Sequence, residues 1–277
     1  MDTSHRMDVR RPAVAGTFYP AEPAALQAAV DRLLADVAGP PGTAGDAPKA
    51  LIVPHAGYIY SGPIAAAAYA RLRPVAAAIR RVILLGPVHR VAIHGLALPG
   101  ARTFATPLGI VAIDKEAAAL AHRLPHIQES ALAHAAEHSL EVQLPFLQRV
   151  LPDFTLLPFV VGDATADMVA DVLDALWGGP ETLIVISSDL SHYHPYREAQ
   201  EIDTTTAARI LAFASSLGHE QACGATPING LLRAGRRRGL QAELLDLRNS
   251  GDTAGDRSRV VGYAAFGFRE GNAHGAH

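Results

Sequence analysis

A single cysteine, Cys223, in 277 residues excludes an intramolecular disulfide, and no zinc-ribbon spacing exists. A reducing, cytoplasmic compartment is the expectation that follows. Charge is scarce too: 18% of residues are charged and the formal net charge is -3. That balance gives no electrostatic case for a nucleic-acid or anionic-membrane partner. No stretch approaches the roughly eighteen apolar residues that span a bilayer. The opening segment, Met1-Asp-Thr-Ser-His-Arg-Met7-Asp-Val-Arg10, lacks the apolar core of a secretion signal. Neither export nor membrane insertion is expected, and Met1 and Met7 both qualify as the start. The one basic cluster, Arg233 with Arg236-Arg-Arg238, closes a helical pattern, where cations favour the carboxyl terminus, and reads as a solvated helix end.

With 49% hydrophobic residues, the chain can bury a large core. Residues 10–269 are expected to form one α/β domain, with 1–9 a flexible N-terminus and 270–277 a flexible tail whose histidines are incidental. Ala24 to Val37 has a helical period and runs into the Gly/Pro-rich stretch 39–45, a surface loop. Strands are expected at 50–54, 81–86, 95–98, 109–113, 154–161, 181–188, 240–247 and 259–268. Helices are expected at 63–73, 114–124, 131–150, 165–177, 197–214 and 225–237. Strands separated by helices give a mainly parallel sheet flanked by helices, with the two closing strands adding an antiparallel edge.

Three apolar β-like runs stop abruptly at chemistry-bearing residues: Leu51-Ile-Val-Pro-His55, Val82-Ile-Leu-Leu-Gly-Pro87-Val-His89, and Leu183-Ile-Val-Ile-Ser-Ser188-Asp189-Leu-Ser-His192. Such runs read as strands buried on both faces, and open α/β sheets collect ligands past the carboxyl ends of their strands. An isolated histidine there is ordinarily satisfied by a loop carbonyl. Two in equivalent positions point instead to convergence on one ion, because neutral imidazole suits iron, copper and zinc. Asp189 reads as a ligand, a carboxylate that orients an imidazole, or a helix cap. His192 is the candidate acid/base.

The string His134-Ala-Ala-Glu137-His138-Ser-Leu-Glu141 places its acidic and imidazole groups on one face of a helix. It also matches H-x-x-E-H, in which both histidines hold zinc and the glutamate is the base of a peptidase. That is an alternative mechanism, set against a solvated helix face or one that supports a neighbouring site.

Taken in order, Arg11-Pro-Ala-Val-Ala-Gly16-Thr-Phe-Tyr-Pro20, Val53-Pro-His55-Ala-Gly57-Tyr58-Ile-Tyr-Ser-Gly62, Leu85-Gly-Pro-Val-His89, Glu137-His138-Ser-Leu-Glu-Val-Gln-Leu-Pro145, Ser187-Ser-Asp189-Leu-Ser-His192, Asn249-Ser-Gly-Asp252 and Val261-Gly-Tyr263 resemble the MEMO family. Its bacterial and archaeal members are called AmmeMemoRadiSam system protein B. The resemblance implies a single-domain fold like that of the LigB-like class III extradiol dioxygenases, which are non-haem iron enzymes. It also implies a metal site on His55, His89 and a residue near the last motifs, with Asp189 and His192 catalytic beside it. Tyr58, Glu137, His138, Ser188 and Thr253 would line the pocket. In animal members a cysteine is the third ligand, with iron or copper proposed. The corresponding segment here, 249–256, holds no cysteine, so Asp252, or a water on Thr253, is expected to complete a harder site that favours Fe(2+) over copper. Zinc would accompany the peptidase alternative. The activity implied is dioxygenase-like oxidation of a small-molecule or peptide ligand. A non-catalytic metal- or peptide-binding scaffold is the other class, and the family name suggests radical-SAM and Amme-type partner proteins.

Overall fold

The computed structural model describes residues 8–37 and 47–271. The loop expected at 39–45 therefore lies outside the described residues, as do most of the expected flexible ends. The chain begins with a short strand, β1 (Val9–Arg10), and a proline-opened helix, α1 (Pro23–Ala35), which buries Leu26, Val30 and Leu34. Glu22 caps α1 by accepting from the Ala25 amide. β2 (Ala50–Val53) leads into α2 (Tyr58–Tyr69) and a 3-10 turn, and then into β3 (Arg81–Pro87). After β4 (Leu96–Leu98), the segments β5 (Thr103–Thr106) and β6 (Gly109–Ala112) join β1 in a small separate sheet.

Next come α3 (Lys115–Ala121), β7 (Ile127–Glu129), α4 (Ala131–Ala135), α5 (Leu144–Val150), β8 (Thr155–Val161), α6 (Ala166–Leu176) and β9 (Thr182–Ser187). The chain then runs through β10 (His192–His194), α7 (Tyr196–Leu211), α8 (Ala225–Arg237), β11 (Gln241–Asn249), α9 (Ser250–Thr253) and β12 (Val260–Arg269).

The main sheet runs β10-β12-β2-β9-β3-β8-β4-β7, with β11 also pairing β12. β2, β9, β3 and β8 are mutually parallel, and β12 adds antiparallel pairing to β2 and β11. Side chains of the central strands alternate between two cores, as the period of a strand requires. Leu51, Val53, Val82, Leu84, Leu183 and Val185 enter one, and Ala50, Ile52, Ile83, Leu85, Ile184 and Ile186 the other. The parallel β2, β3 and β9 therefore end at one edge, and His55, His89 and Asp189 follow those ends. The arginines at the end of α8 pair with α6, Arg233 with Asp167 and both Arg237 and Arg238 with Asp174.

Two expectations need correction. Val9 is not part of a loose terminus, since it pairs in parallel with Thr103, next to Arg10, the expected first residue of the domain, which pairs with Phe104 and is buried. The helix expected over 131–150 is two helices, α4 and α5, separated by a turn. The Glu137 carboxylate accepts from the amides of His138 and Ser139, at 2.9 Å each, and so competes with the helical ladder.

Candidate metal centre

His55 and His89 are each fixed at the backbone before their rings come into play. The His55 amide donates to Asp189 Oδ1 at 2.7 Å, tying the end of β2 to the end of β9, and the His89 amide donates to Glu137 Oε2 at 2.6 Å. The turn between α4 and α5 is pinned against β3 because Ser139 Oγ donates to the Pro87 carbonyl at 2.8 Å. Gly86 makes that approach feasible, as a Cβ there would sit 2.9 Å from Ser139 Oγ and from Leu140 Cδ2. This brings a third imidazole to the strand ends. The ring centroids of His55, His89 and His138 are 5.4, 5.3 and 4.7 Å apart in pairs, and one ligand atom from each lies within 4.8 Å of the other two.

The hydrogen bonds fix which nitrogens are available. Glu137 Oε1 lies 2.9 Å from His89 Nδ1 and 3.2 Å from His138 Nδ1. A carboxylate only accepts, so both Nδ1 atoms carry protons, and in the neutral rings that can ligate a cation both Nε2 atoms keep a lone pair. Ser187 does the same for His55. Its Oγ donates to the Ser139 carbonyl and accepts from Gln143 Nε2 at 2.8 Å, so at 2.9 Å from His55 Nδ1 it accepts again. Gln143 is itself oriented by Pro54 O, which accepts from its Nε2, and by the Tyr69 hydroxyl, which donates to its Oε1. Three imidazoles with protonated Nδ1, and with the Nε2 lone pairs turned into one cluster, form with their outer partners a donor set that fits a divalent transition ion.

Electrostatics agree with a neutral His55 ring near one charged carboxylate. Burial, followed by the neighbouring His138 and His89, holds the His55 imidazole well below the usual histidine range. Burial works to raise Glu137, but the hydrogen bonds from His138 and His89 outweigh it and hold the carboxyl well below the usual carboxylate range. Asp189, buried beside His55, is raised.

Segment 249–256 holds no cysteine, but a cysteine from elsewhere in the chain reaches the site. Cys223, in the loop before α8, lies with its Sγ 3.2 Å from His55 Nε2 and 3.3 Å from the Asp189 amide. Burial pushes its thiol up to about 12, so the S–H donates to the imidazole. Gly224 permits the approach, because a Cβ there would sit 2.7 Å from Ser188 Cβ. The segment 249–256 supplies something else. Asp252 caps α9, taking the Asn249 amide on Oδ2 at 3.0 Å and the Tyr196 hydroxyl on Oδ1, and no hydrogen bond or ion pair among the described residues links it to the histidines. Thr253 Oγ1 bonds back to Ser250 O at 3.3 Å.

The remaining residues fall around this cluster. His192 Nδ1 donates to the Leu190 carbonyl at 2.8 Å, leaving its Nε2 free. Ser188 Oγ donates to Asp189 O at 2.7 Å and accepts from the Gly224 amide at 2.9 Å. The buried Tyr58 hydroxyl donates to Val142 O at 2.7 Å, which places it behind the turn as support. Sequence reasoning missed Cys223, Gln143 and the part played by Ser187. The only local signal for the first was a Cys-Gly pair at a helix start.

His134 does not join the cluster. It is buried, and its Nε2–H donates to the Ala97 carbonyl at 2.8 Å. An H-x-x-E-H zinc helix needs both histidines on one ion, and that arrangement is absent. Burial instead lowers the His134 imidazole from 6.5 to about 4. The unfolded chain takes up this proton near pH 6.5 while the folded chain resists it. The stability from neutral His134 is therefore complete above pH 6.5 and is lost as the pH falls from there to about 4, by up to about 1.4 kcal/mol per pH unit. In urea unfolding across that window, His134→Gln is expected to flatten the stability slope by about one proton; an unchanged slope would remove His134 as its source.

A family model described as "Memo-like protein" matches residues 10–267. A MEMO1 family protein of Methanopyrus kandleri is 37% identical over 292 residues, covering 95% of this chain and 99% of its own. One of Aquifex aeolicus is 37% identical over 274 residues, covering 95% and 100%. One of Nitrosopumilus maritimus is 34% identical over 275 residues, covering 94% and 99%.

Proposed function

The chain belongs to the Memo-like protein family, and from that premise we propose that His55, His89 and His138 hold a ferrous ion in a protein with dioxygenase-like oxidoreductase activity. The observation that carries this reading is the protonation pattern: Glu137 and Ser187 take the Nδ1 protons of all three rings and leave three Nε2 lone pairs in one cluster. Iron bound by three protein ligands supplies redox chemistry toward dioxygen and keeps positions open for other molecules.

The chain's own groups have separable tasks. Glu137 orients two ligands and supplies the negative charge that a divalent cation calls for. Cys223 is placed beside His55 to offer a softer donor once a cation lowers its thiol. His192, with Nδ1–H held by Leu190, presents Nε2 as the group that accepts a proton. Asp189 holds the His55 backbone and keeps a raised carboxyl near that base.

Protein purified from cells without oxygen or chelator is expected to carry iron, and the metal-free chain titrated with ferrous iron alone is expected to bind one ion per chain; equal-concentration competition is not the measure, because zinc and copper outcompete ferrous iron at most nitrogen and sulfur sites. Zinc or copper in place of iron in the protein as purified would overturn the assignment of iron. No saturable binding of any of the three would overturn the site itself. Iron loading without dioxygen uptake on any small-molecule or peptide candidate would favour the non-catalytic scaffold.

A further inference from the structure

We propose that Asp203, on α7, is a positioning residue that sets the orientation and tautomer of His192, so that the Nε2 of that imidazole is bare where the site needs a base. The inference rests on the reading of His192 as the proton acceptor and supplies the device that would make it one.

The segment Leu190–Ser191 joins β9 to the short strand β10, which begins at His192 and pairs irregularly with β12, so its conformation needs outside support. That support comes from a carboxylate and a glycine. Asp203 is 3% exposed, and its Oδ1 accepts from the Ser191 amide at 3.0 Å. The same carboxylate lies flat against Gly262 of β12, where an added Cβ would stand 1.9 Å from Oδ2. Gly262 in turn brackets the segment, with its amide donating to Ser191 O and its carbonyl accepting from the Leu190 amide, both at 2.8 Å. Every backbone bond that fixes the plane of the Leu190 carbonyl therefore passes through Gly262 or through the Ser191 peptide that Asp203 holds. That carbonyl is the partner of His192 Nδ1 at 2.8 Å. A carbonyl cannot donate, so it selects the Nδ1–H tautomer, the minor form of a free histidine side chain.

A merely structural carboxylate would be replaceable wherever the fold survives. Asp203 is a costly choice for that purpose, because burial lifts its carboxyl above the usual range despite the hydrogen bonds it accepts from Ser191. A group kept there against its desolvation is explained by what its acceptor oxygen holds.

The test reads the tautomer directly, on metal-free full-length protein, by long-range proton–nitrogen NMR of the histidine rings. The parent chain is expected to show His192 with Nδ1 protonated and Nε2 bare. Asp203→Asn, whose side-chain oxygen still accepts from Ser191, is expected to keep that pattern. In Asp203→Ala the Nδ1–H form should drop to a minority, with the other histidine signals and the unfolding midpoint little changed. Asp203→Ser, which stays polar but cannot reach Ser191, is measured alongside in case the alanine variant does not fold and is expected to behave as alanine. Persistence of the Nδ1–H form in either folded variant overturns the proposal. Because no metal is present, that failure would leave the iron reading standing, and failure of iron binding would leave the tautomer result standing.

Discussion

His138→Ala is expected to abolish stoichiometric ferrous iron binding, while His134→Ala, four residues upstream, leaves it close to that of the parent chain. The contrast follows from the turn that breaks the expected helix. His138 contributes one of three clustered nitrogens, whereas the His134 Nε2 proton is committed to Ala97 O. Removing one of three ligands takes away both a bond and the geometry that the other two share. Glu137→Gln is expected to fall between these, weakening iron by about 10–100-fold, because the outer partner of two ligands is then a neutral amide that takes their protons less well. Equilibrium dialysis under anaerobic conditions measures all three. Iron retained by His138→Ala and lost by His134→Ala would restore the H-x-x-E-H arrangement and remove the one described here.

The parts of this arrangement that could be read in the sequence are those that follow from strand physics. Leu51–Val53 and Val82–Leu85 are continuous apolar runs because helices cover both faces of the central strands, and a polar ring directly after such a run has to lie at the sheet edge. His55 and His89 were visible for that reason. His138 was visible only as a residue type on a supposed helix face. The turn that aims it depends on Glu137 bonding its own following amides and the His89 amide 48 residues away, and no periodicity records that. Cys223 was missed for a related reason. It lies 168 residues from His55 in the chain and arrives through a loop whose closeness is set by Gly224, a feature of three-dimensional contact. Asp252, chosen because its motif was expected to cover the site, answers to a local demand, the amino-terminal cap of a short helix.

The largest loss of stability is expected from Arg10→Ala, at about 3–5 kcal/mol in urea unfolding, the usual cost of breaking a buried ion pair from one side. Arg10 and Glu141 are paired with side chains 4% and 0% exposed, so neither can be resolvated when the other is removed. The guanidinium also donates to the carbonyls of His134, at 3.0 Å, and of Glu137, and its charge lies 5.3 Å from the centre of the Phe104 ring. Those two carbonyls bracket the turn that carries Glu137 and His138, so iron affinity should drop together with stability. Glu141 would keep the amides of Ala13 and Val14 and the Tyr19 hydroxyl, which is why the variant should still fold at moderate temperature. Replacing both charges, as Arg10→Met with Glu141→Gln, is expected to recover much of the stability but little of the iron affinity, since the neutral pair removes the unpaired charge without restoring donors to the turn. A loss below about 1 kcal/mol for Arg10→Ala, the range of exposed pairs, would mean that the clasp between the N-terminal strand and the site is not what holds the turn.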